Sequence, residues 1–339
     1  MTKNKNPKSL PGITVIIVTL NNQRSLNECL QRIKDQDYPK DKIEYLAVDG
    51  GSTDQTVALF KKFNFRVITS PIPKNAEAQR AVGLKAASHN LIVSIDADNY
   101  LPTRRWLRQM IRPFQDDPSV VHANTMYYGY RRHDNLFNRY VGLFGNADPI
   151  VFYVGRPDRL PRYQKKWKLG TIIRDAPGYT LVEFDSHSLP TVGCNGVVYR
   201  KDILLTYAKS TSGDFLHIDV FADVVAQGFT RFAVVKNDVI HDTAISLPFL
   251  LKKRIAFLSQ YFVNSSAPRR YYIYNPHSLK SSFKLLCYIL YTVTFIKPSL
   301  DALRGFLVIP DIAWFAHPFI CWMYLISYAV ATVKQRMRV

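Results

Sequence analysis

The 339 residues, 47% hydrophobic and 13% aromatic, suffice for one large α/β domain with a smaller appendage and exclude a disordered chain. A formal net charge of +19 calls for an anionic partner: nucleic acid, a membrane surface or a phosphorylated substrate. The basic residues crowd the C-terminal part among long apolar stretches, as at Lys252, Lys253, Arg254, Arg269, Arg270 and Lys334, with no nucleic-acid-binding signature, so an anionic membrane surface is expected and nucleic acid is not.

Residues 1–10, rich in lysine and asparagine, read as a disordered tail. Ile13 to Leu20 is too short for a signal peptide, lacks a small-residue cleavage site and runs into Asn21-Asn22, so it is predicted as a buried strand. Further strands are predicted at Ile43 to Val48, Phe65 to Thr69, Leu91 to Ile95 and Val120 to Ala123. Helices fill the gaps at about Ser25 to Gln36, Asp54 to Lys62, Asn75 to Ser88 and Arg104 to Phe114. This alternation is that of βαβ units around a mainly parallel sheet, where ligands bind at the carboxyl ends of the strands.

Residues 125–190 show no sustained periodicity and read as a variable region over the site. Order returns with a strand at Gly196 to Tyr199, a helix at about Phe215 to Ala226 and a strand at Arg231 to Val235. The four cysteines are far apart, form no metal-binding pair and fit a reducing compartment.

The domains follow as the tail, a catalytic domain over 11–245 and a membrane-associated helical region over 246–339. In that region Pro248 to Phe262 sets Leu251, Ile255, Leu258 and Phe262 on one helical face beside basic residues, the pattern of an interfacial helix. Phe283 to Ile296 is apolar but short. Ile312 to Val333 lacks Asp, Glu, Lys and Arg and has the length of a bilayer span, which His317-Pro318 is expected to kink. The basic tail at Lys334, Arg336 and Arg338 places the C-terminus on the cytoplasmic side, and a hairpin from Phe283 to Val333 accommodates this.

The chemistry concentrates at strand exits. In Ser94-Ile95-Asp96-Ala97-Asp98 two acids flank one residue, an arrangement that can hold a hard divalent cation with positions open to phosphate oxygens. The alternative is structural, with Asp98 capping a helix and Asp96 satisfied by main-chain amides. At Asp49-Gly50-Gly51-Ser52-Thr53-Asp54, the glycines admit close backbone approach, Asp54 can cap the next helix, and Asp49 at the strand tip can grip a nucleobase amide.

Together with Val18-Thr19-Leu20-Asn21-Asn22 and Ala78-Gln79-Arg80-Ala81-Val82-Gly83, these segments make Gly12 to His241 resemble the family 2 glycosyltransferases of GT-A fold. The resemblance implies an inverting transfer, of a hexosyl group, from a nucleoside-diphosphate sugar. It puts Thr19, Asn21 and Asp49 at the nucleoside, Arg80 near the diphosphate, Asp96 on the donor and Asp98 on a Mn or Mg ion. Ala81 stands where the family often has asparagine. His217-Ile218-Asp219 resembles the position where an aspartate acts as catalytic base, which makes Asp219 the candidate and Asp223 the reserve. His241 matches a third metal ligand, with a core or surface histidine as the alternative. Gly193-Cys194-Asn195-Gly196 is read as lining the donor-sugar pocket through Gly193 and Asn195, or as shaping a strand entry.

The expected enzyme therefore carries a sugar to a hydroxyl of a lipid-linked or other membrane-proximal acceptor, Asp219 taking the proton and the metal neutralising the diphosphate. A polyprenyl-phosphate acceptor would need no strong base. The remaining alternative is a membrane scaffold with an inactive transferase domain, which would be expected to lose the acids that this chain keeps. A dinucleotide-binding oxidoreductase is disfavoured because no G-x-G-x-x-G follows the first strand.

Overall fold

The computed structural model of the chain describes residues 9–210, 215–242, 247–259, 269–275 and 277–337. The expected tail, save Ser9 and Leu10, lies outside the described residues, as does the end of the expected interfacial helix beyond 259. In chain order the elements are β1 (Ile13–Thr19), α1 (Gln23–Lys34), β2 (Ile43–Asp49), α2 (Thr56–Lys62), β3 (Arg66–Thr69), α3 (Ala76–Ala86), β4 (Leu91–Asp96), β5 (Asn99–Tyr100), α4 (Trp106–Asp116) and β6 (His122–Tyr128). They continue as α5 (Leu136–Phe144), α6 (Pro149–Tyr153), β7 (Thr171–Asp175), β8 (Tyr179–Glu183), β9 (Val197–Arg200), α7 (Lys201–Tyr207), α8 (His217–Ala226) and β10 (Arg231–His241). The last helices are α9 (Leu247–Leu258), α10 (Leu279–Thr294), α11 (Ile296–Val308) and α12 (His317–Arg336).

The chain divides into two compact units: residues 1–125, 170–187 and 192–239 form the first, and 126–169, 188–191 and 240–339 the second. In the first unit the sheet runs β3-β2-β1-β4-β9-β6-β10-β8-β7, with β5 paired to β10. It is mixed. The β3-β2-β1-β4 half is parallel, and β4 with β9, β9 with β6, β10 with β8 and β8 with β7 pair antiparallel. All seven residues of β1 are buried, as its unbroken β-branched run requires of a strand covered on both faces. On α1, Leu26, Cys29, Leu30 and Ile33 recur at helical spacing and are all buried. Asn75 starts α3 by accepting the Ala78 amide on its side chain, over 3.0 Å.

Three sequence expectations are corrected here. The fifth expected strand lies two residues later and runs to Tyr128, because its buried residues include the polar His122, Asn124 and Thr125 and hide it from a hydrophobicity reading. Residues 125–190 are not aperiodic: they hold α5, capped by Asn135 at the Phe137 and Asn138 amides, then α6, and the β7–β8 hairpin. The strand expected to end at Val235 continues through Lys236-Asn237-Asp238 to His241. There the Asp238 carbonyl accepts from Trp106 Nε1 at 2.9 Å, and Asn237 Nδ2 donates to Gln109 Oε1 at 3.2 Å.

In the second unit α10 and α11 meet at 78° across Phe295, whose φ is +59°. No helix was expected at 296–308, where Lys297, Asp301 and Arg304 interrupt the apolar run. Within the helix Lys297 and Arg304 both pair with buried Asp301. Gly305 lets α11 approach Trp314, since a Cβ there would fall 2.4 Å from the ring. A 3-10 turn, Ile312–Ala316, precedes α12. Pro318 therefore lies in the first turn of that helix, where no main-chain N–H is needed, and it starts the helix instead of kinking it. His317 is fully buried between the hydroxyls of Tyr140 and Tyr153, each 2.9 Å from a ring nitrogen.

Gly83 sets the approach of α3 to the sheet. A Cβ at this position would lie 2.8 Å from Ile16 Cγ2 and 3.2 Å from Val48 Cγ2. Gly83→Val is expected to cost about 1–3 kcal/mol through overpacking. Chemical denaturation of the purified variant checks this, and an unchanged midpoint would show that the contact yields freely.

Candidate active site

The exits of β1 and β2 are tied together before any ligand is considered. Asn21 takes φ +53°. Its amide donates to Ser52 Oγ at 2.9 Å and its side-chain oxygen accepts the Thr53 amide at 2.8 Å. Thr19, 3% exposed, donates to Asn22 Oδ1 at 3.1 Å, and its carbonyl accepts the Gly50 amide at 2.9 Å. The side chains of Thr19 and Asn21 are thus engaged in shaping the loop. Asp54 accepts the Thr56 amide at the head of α2, over 3.0 Å, from the residue before the N-cap Gln55 rather than from the cap position itself.

Asp49 differs. Its Oδ2 accepts the amides of Gly51 and Ser52, both at 3.0 Å, which turns the chain sharply and leaves Oδ1 buried with no hydrogen-bond partner among the described residues. That oxygen can accept an N–H from a ligand without breaking a protein contact. Gly50 lets Gln79 of α3 lie against the turn, because a Cβ would fall 2.0 Å from Gln79 Nε2.

The next residue, Arg80, is 8% exposed and ties α3 to the end of β4. Its Nη2 lies 2.6 Å from Asp96 Oδ1 at the end of β4, and its Nη1 is 3.4 Å from Glu77 Oε1. Asp96 is held by its own turn, where its amide donates to the Asn99 side chain at 3.1 Å, and its carbonyl faces Cys29 Sγ at 3.8 Å. Asp98 follows, partly exposed; α4 begins only at Trp106, so Asp98 caps no helix. The 193–196 turn also comes up to Arg80. Burial pushes the Cys194 thiol well above its usual pKa, outweighing the neighbouring Arg80 charge, and it remains neutral. Gly196 takes φ +65° and its amide donates to the Ser94 carbonyl at 2.9 Å, fixing the entry to β9 beside the acidic turn, with Asn195 8% exposed.

Glu77 extends the network to the head of α8. Its Oε2 accepts the His217 amide at 2.9 Å, and both its oxygens lie 2.9 Å from His217 Nδ1. This carboxylate caps a helix that has no cap of its own. Sequence gave no lead to Glu77, since an acid in a first helical turn is ordinarily explained by the helix dipole. Asp219 and Asp223 are each 3% exposed, and Asp223 Oδ2 accepts the Lys209 amide at 2.9 Å. His241 ends β10 in the second unit, its ring centroid 5.5 Å from that of Tyr128. Among the described residues no group of three or more His, Cys, Asp or Glu forms a metal cage by itself.

The profile of the family described as Glycosyl transferase family 2 matches residues 14–187, slightly more than half of the chain. The chain belongs to that family. Among curated relatives, family 2 membership is accompanied by 30% identity over 106 residues to the glycosyltransferase AglE of Haloferax volcanii, covering 30% of this chain and 34% of that protein. A second relative is the dolichyl N-acetyl-α-D-glucosaminyl phosphate 3-β-D-2,3-diacetamido-2,3-dideoxy-β-D-glucuronosyltransferase of Methanococcus voltae, 31% identical over 110 residues and again 30% and 34% of the two chains. The matched stretch spans about a third of either relative's length. Among solved structures, a mannosyltransferase of Pyrobaculum calidifontis, determined with GDP-Man and Mn2+, superposes with a TM-score of 0.55. It is 16% identical and covers 97% of this chain and 88% of that one. That likeness shows the GT-A fold.

The network has a pH signature. Burial pushes the Glu77 carboxyl up, but the charges of His217 and Arg80 and the hydrogen bonds from His217 outweigh it and bring the pKa down to about 2. A carboxyl held below its unfolded value stabilises the fold above that value and loses its contribution as pH falls toward its folded pKa. Glu77→Gln is therefore expected to be less stable than the unsubstituted chain above pH 5, by on the order of 3 kcal/mol, with the gap closing toward pH 2. Denaturation at a series of pH values measures this, and a gap independent of pH would count against it.

Proposed function

We propose that the chain is an inverting glycosyltransferase that moves a sugar from a nucleoside diphosphate to a hydroxyl of a lipid-linked or other membrane-proximal acceptor. The observation that carries this reading is the buried Asp49 Oδ1, with no hydrogen-bond partner among the described residues, at the exit of β2, on the same edge of the parallel sheet as the Arg80–Asp96 pair at the exit of β4, within a family 2 fold. Asp49 accepts a nucleobase N–H, with Thr19 and Asn21 shaping the adjoining loop. Arg80 meets the diphosphate, and the 193–196 turn with Gly193 and Asn195 faces the sugar. Support for the donor class comes from the Pyrobaculum structure, which contains a nucleotide sugar, and for the acceptor class from the dolichyl-linked substrate named for the Methanococcus enzyme.

The residues fit a divalent cation. Asp96 and Asp98 present hard oxygen donors at one strand exit, too few to enclose an ion without substrate oxygens. Asp98 would hold the ion with Asp96 beside it. Bound there, Mn or Mg would offset the charge that grows on the leaving diphosphate. The head of α8 supplies the base for the acceptor hydroxyl, and the resemblance puts Asp219 there.

Association with an anionic membrane surface belongs to the same reading. Ile312–Lys334 has mean hydropathy 1.3 over its best window and is the only described helix long and apolar enough to cross a bilayer, or one of two if α10 and α11 form a single bent span. Phe283, Val293, Leu307 and Phe319 are each more than half exposed. Exposed apolar area of this extent in one unit suits lipid contact, with the catalytic unit on the cytoplasmic face.

Incubation of the full chain with labelled nucleotide sugars and membrane lipid extract is expected to yield a labelled lipid. A chelator should abolish transfer and Mn or Mg restore it. In the same assay Asp49→Asn, which puts an N–H where an acceptor stood, should raise the donor KM about tenfold. No transfer with any nucleotide sugar would sink the reading. Co-sedimentation with vesicles containing anionic lipid should exceed that with neutral vesicles and weaken with salt. Equal recovery in the supernatant with and without vesicles would remove the membrane part.

A further inference from the structure

The resemblance directs attention to Asp219, but the accessible titratable group at the head of α8 is His217. Its side chain is 18% exposed, whereas Asp219 and Asp223 are 3% exposed. An acceptor hydroxyl must come within hydrogen-bond reach of its base, and a carboxylate closed off by protein is poorly placed for that.

The imidazole is also oriented for the task. Glu77, whose ionisation the Arg80 charge and the hydrogen bond from the His217 main-chain amide favour, can only accept, so in the neutral form of the His217 imidazole the proton resides on Nδ1 and Nε2 keeps its lone pair. Among the described residues no hydrogen bond is made to Nε2. Glu77 additionally holds the His217 main-chain amide, which fixes both ends of the residue. A carboxylate behind an imidazole sets its tautomer and stabilises the imidazolium that forms. Through Glu77 the ring is linked to Arg80 and on to Asp96, so the imidazole and the acidic turn belong to one connected network.

We propose that His217 is the general base of the transfer, with Glu77 as its positioning residue; this rests on the glycosyltransferase reading with a hydroxyl acceptor. Nε2 removes the proton of the acceptor hydroxyl while that oxygen forms its bond to the anomeric carbon. The bond from that carbon to the diphosphate breaks, and the nucleoside diphosphate leaves with the electron pair. The imidazolium is held against Glu77 until its proton passes to solvent.

The test uses the full chain and the nucleotide sugar that supports transfer. His217→Ala keeps the main-chain amide on Glu77, and His217→Gln keeps a side-chain hydrogen-bond donor as well. Both should lower kcat by about 10²-fold or more, with the donor KM changed less than about twofold. Added imidazole should restore part of the turnover of His217→Ala, while potassium chloride should not. Glu77→Gln should lower kcat by about tenfold or more without responding to imidazole. Asp219→Asn should lose less than His217→Ala and likewise show no imidazole response.

Turnover of both His217 variants within about threefold of the unsubstituted chain overturns the assignment. A loss that imidazole does not relieve makes His217 structural and overturns it too, as does an imidazole response shared by Asp219→Asn. Absence of transfer by the unsubstituted chain would instead defeat the underlying reading, and this inference with it.

Discussion

The Arg80 guanidinium between Glu77 and Asp96 is the interaction on which the site depends. A cation this buried is tolerated only with carboxylates against it, and removing either would leave uncompensated charge in a low-dielectric setting. Because Glu77 is on α3, Asp96 ends β4 and His217 opens α8, the neutralisation of one charge also fixes how three elements meet. Arg80 itself is set by the helix that Gly83 allows onto the sheet. The packing of α3 and the electrostatics of the strand exits are therefore one arrangement.

Within that arrangement the protein keeps some polar groups satisfied and leaves others available. Asn21, Asn22, Ser52 and Thr56 bond to one another or to neighbouring amides and make the loop rigid. Among the described residues one oxygen of Asp49 and one ring nitrogen of His217 have no hydrogen-bond partner, which suits the proposed ligand contacts. Rigid surroundings with a few open groups are what a site needs to bind without reorganising.

The second unit distributes its polarity the other way. Asp301, Asp311 and His317 are buried and bonded inside, to Lys297, Tyr130, Arg139, Tyr140 and Tyr153, while leucines, phenylalanines and Trp322 face outward. In water such a surface is costly, and against lipid it is not. Its internal polar pairs hold helices together where apolar burial alone gives little orientation.

The parallel half of the sheet was legible because strands buried on both faces read as unbroken apolar runs, as at Ile13 and Leu91, and because Gly and Asp mark their exits. Asp49, Asp96 and Asp98 were visible for the same reason, as acids where the pattern ends. The extent of β6, the far end of β10 and α11 were not, since His122, Lys236 and Asp301 break the periodicity and only their tertiary partners account for them. Which acid serves which neighbour was beyond the sequence as well. Glu77 and His217 are 140 residues apart, and nothing local distinguishes a dipole-favoured glutamate from one that caps a distant helix and holds an imidazole. The residue types and their local order determined the strands, the turns and the family. Folding alone decided which charges meet, because ion pairing depends on distance through space and on burial, and neither is written along the chain.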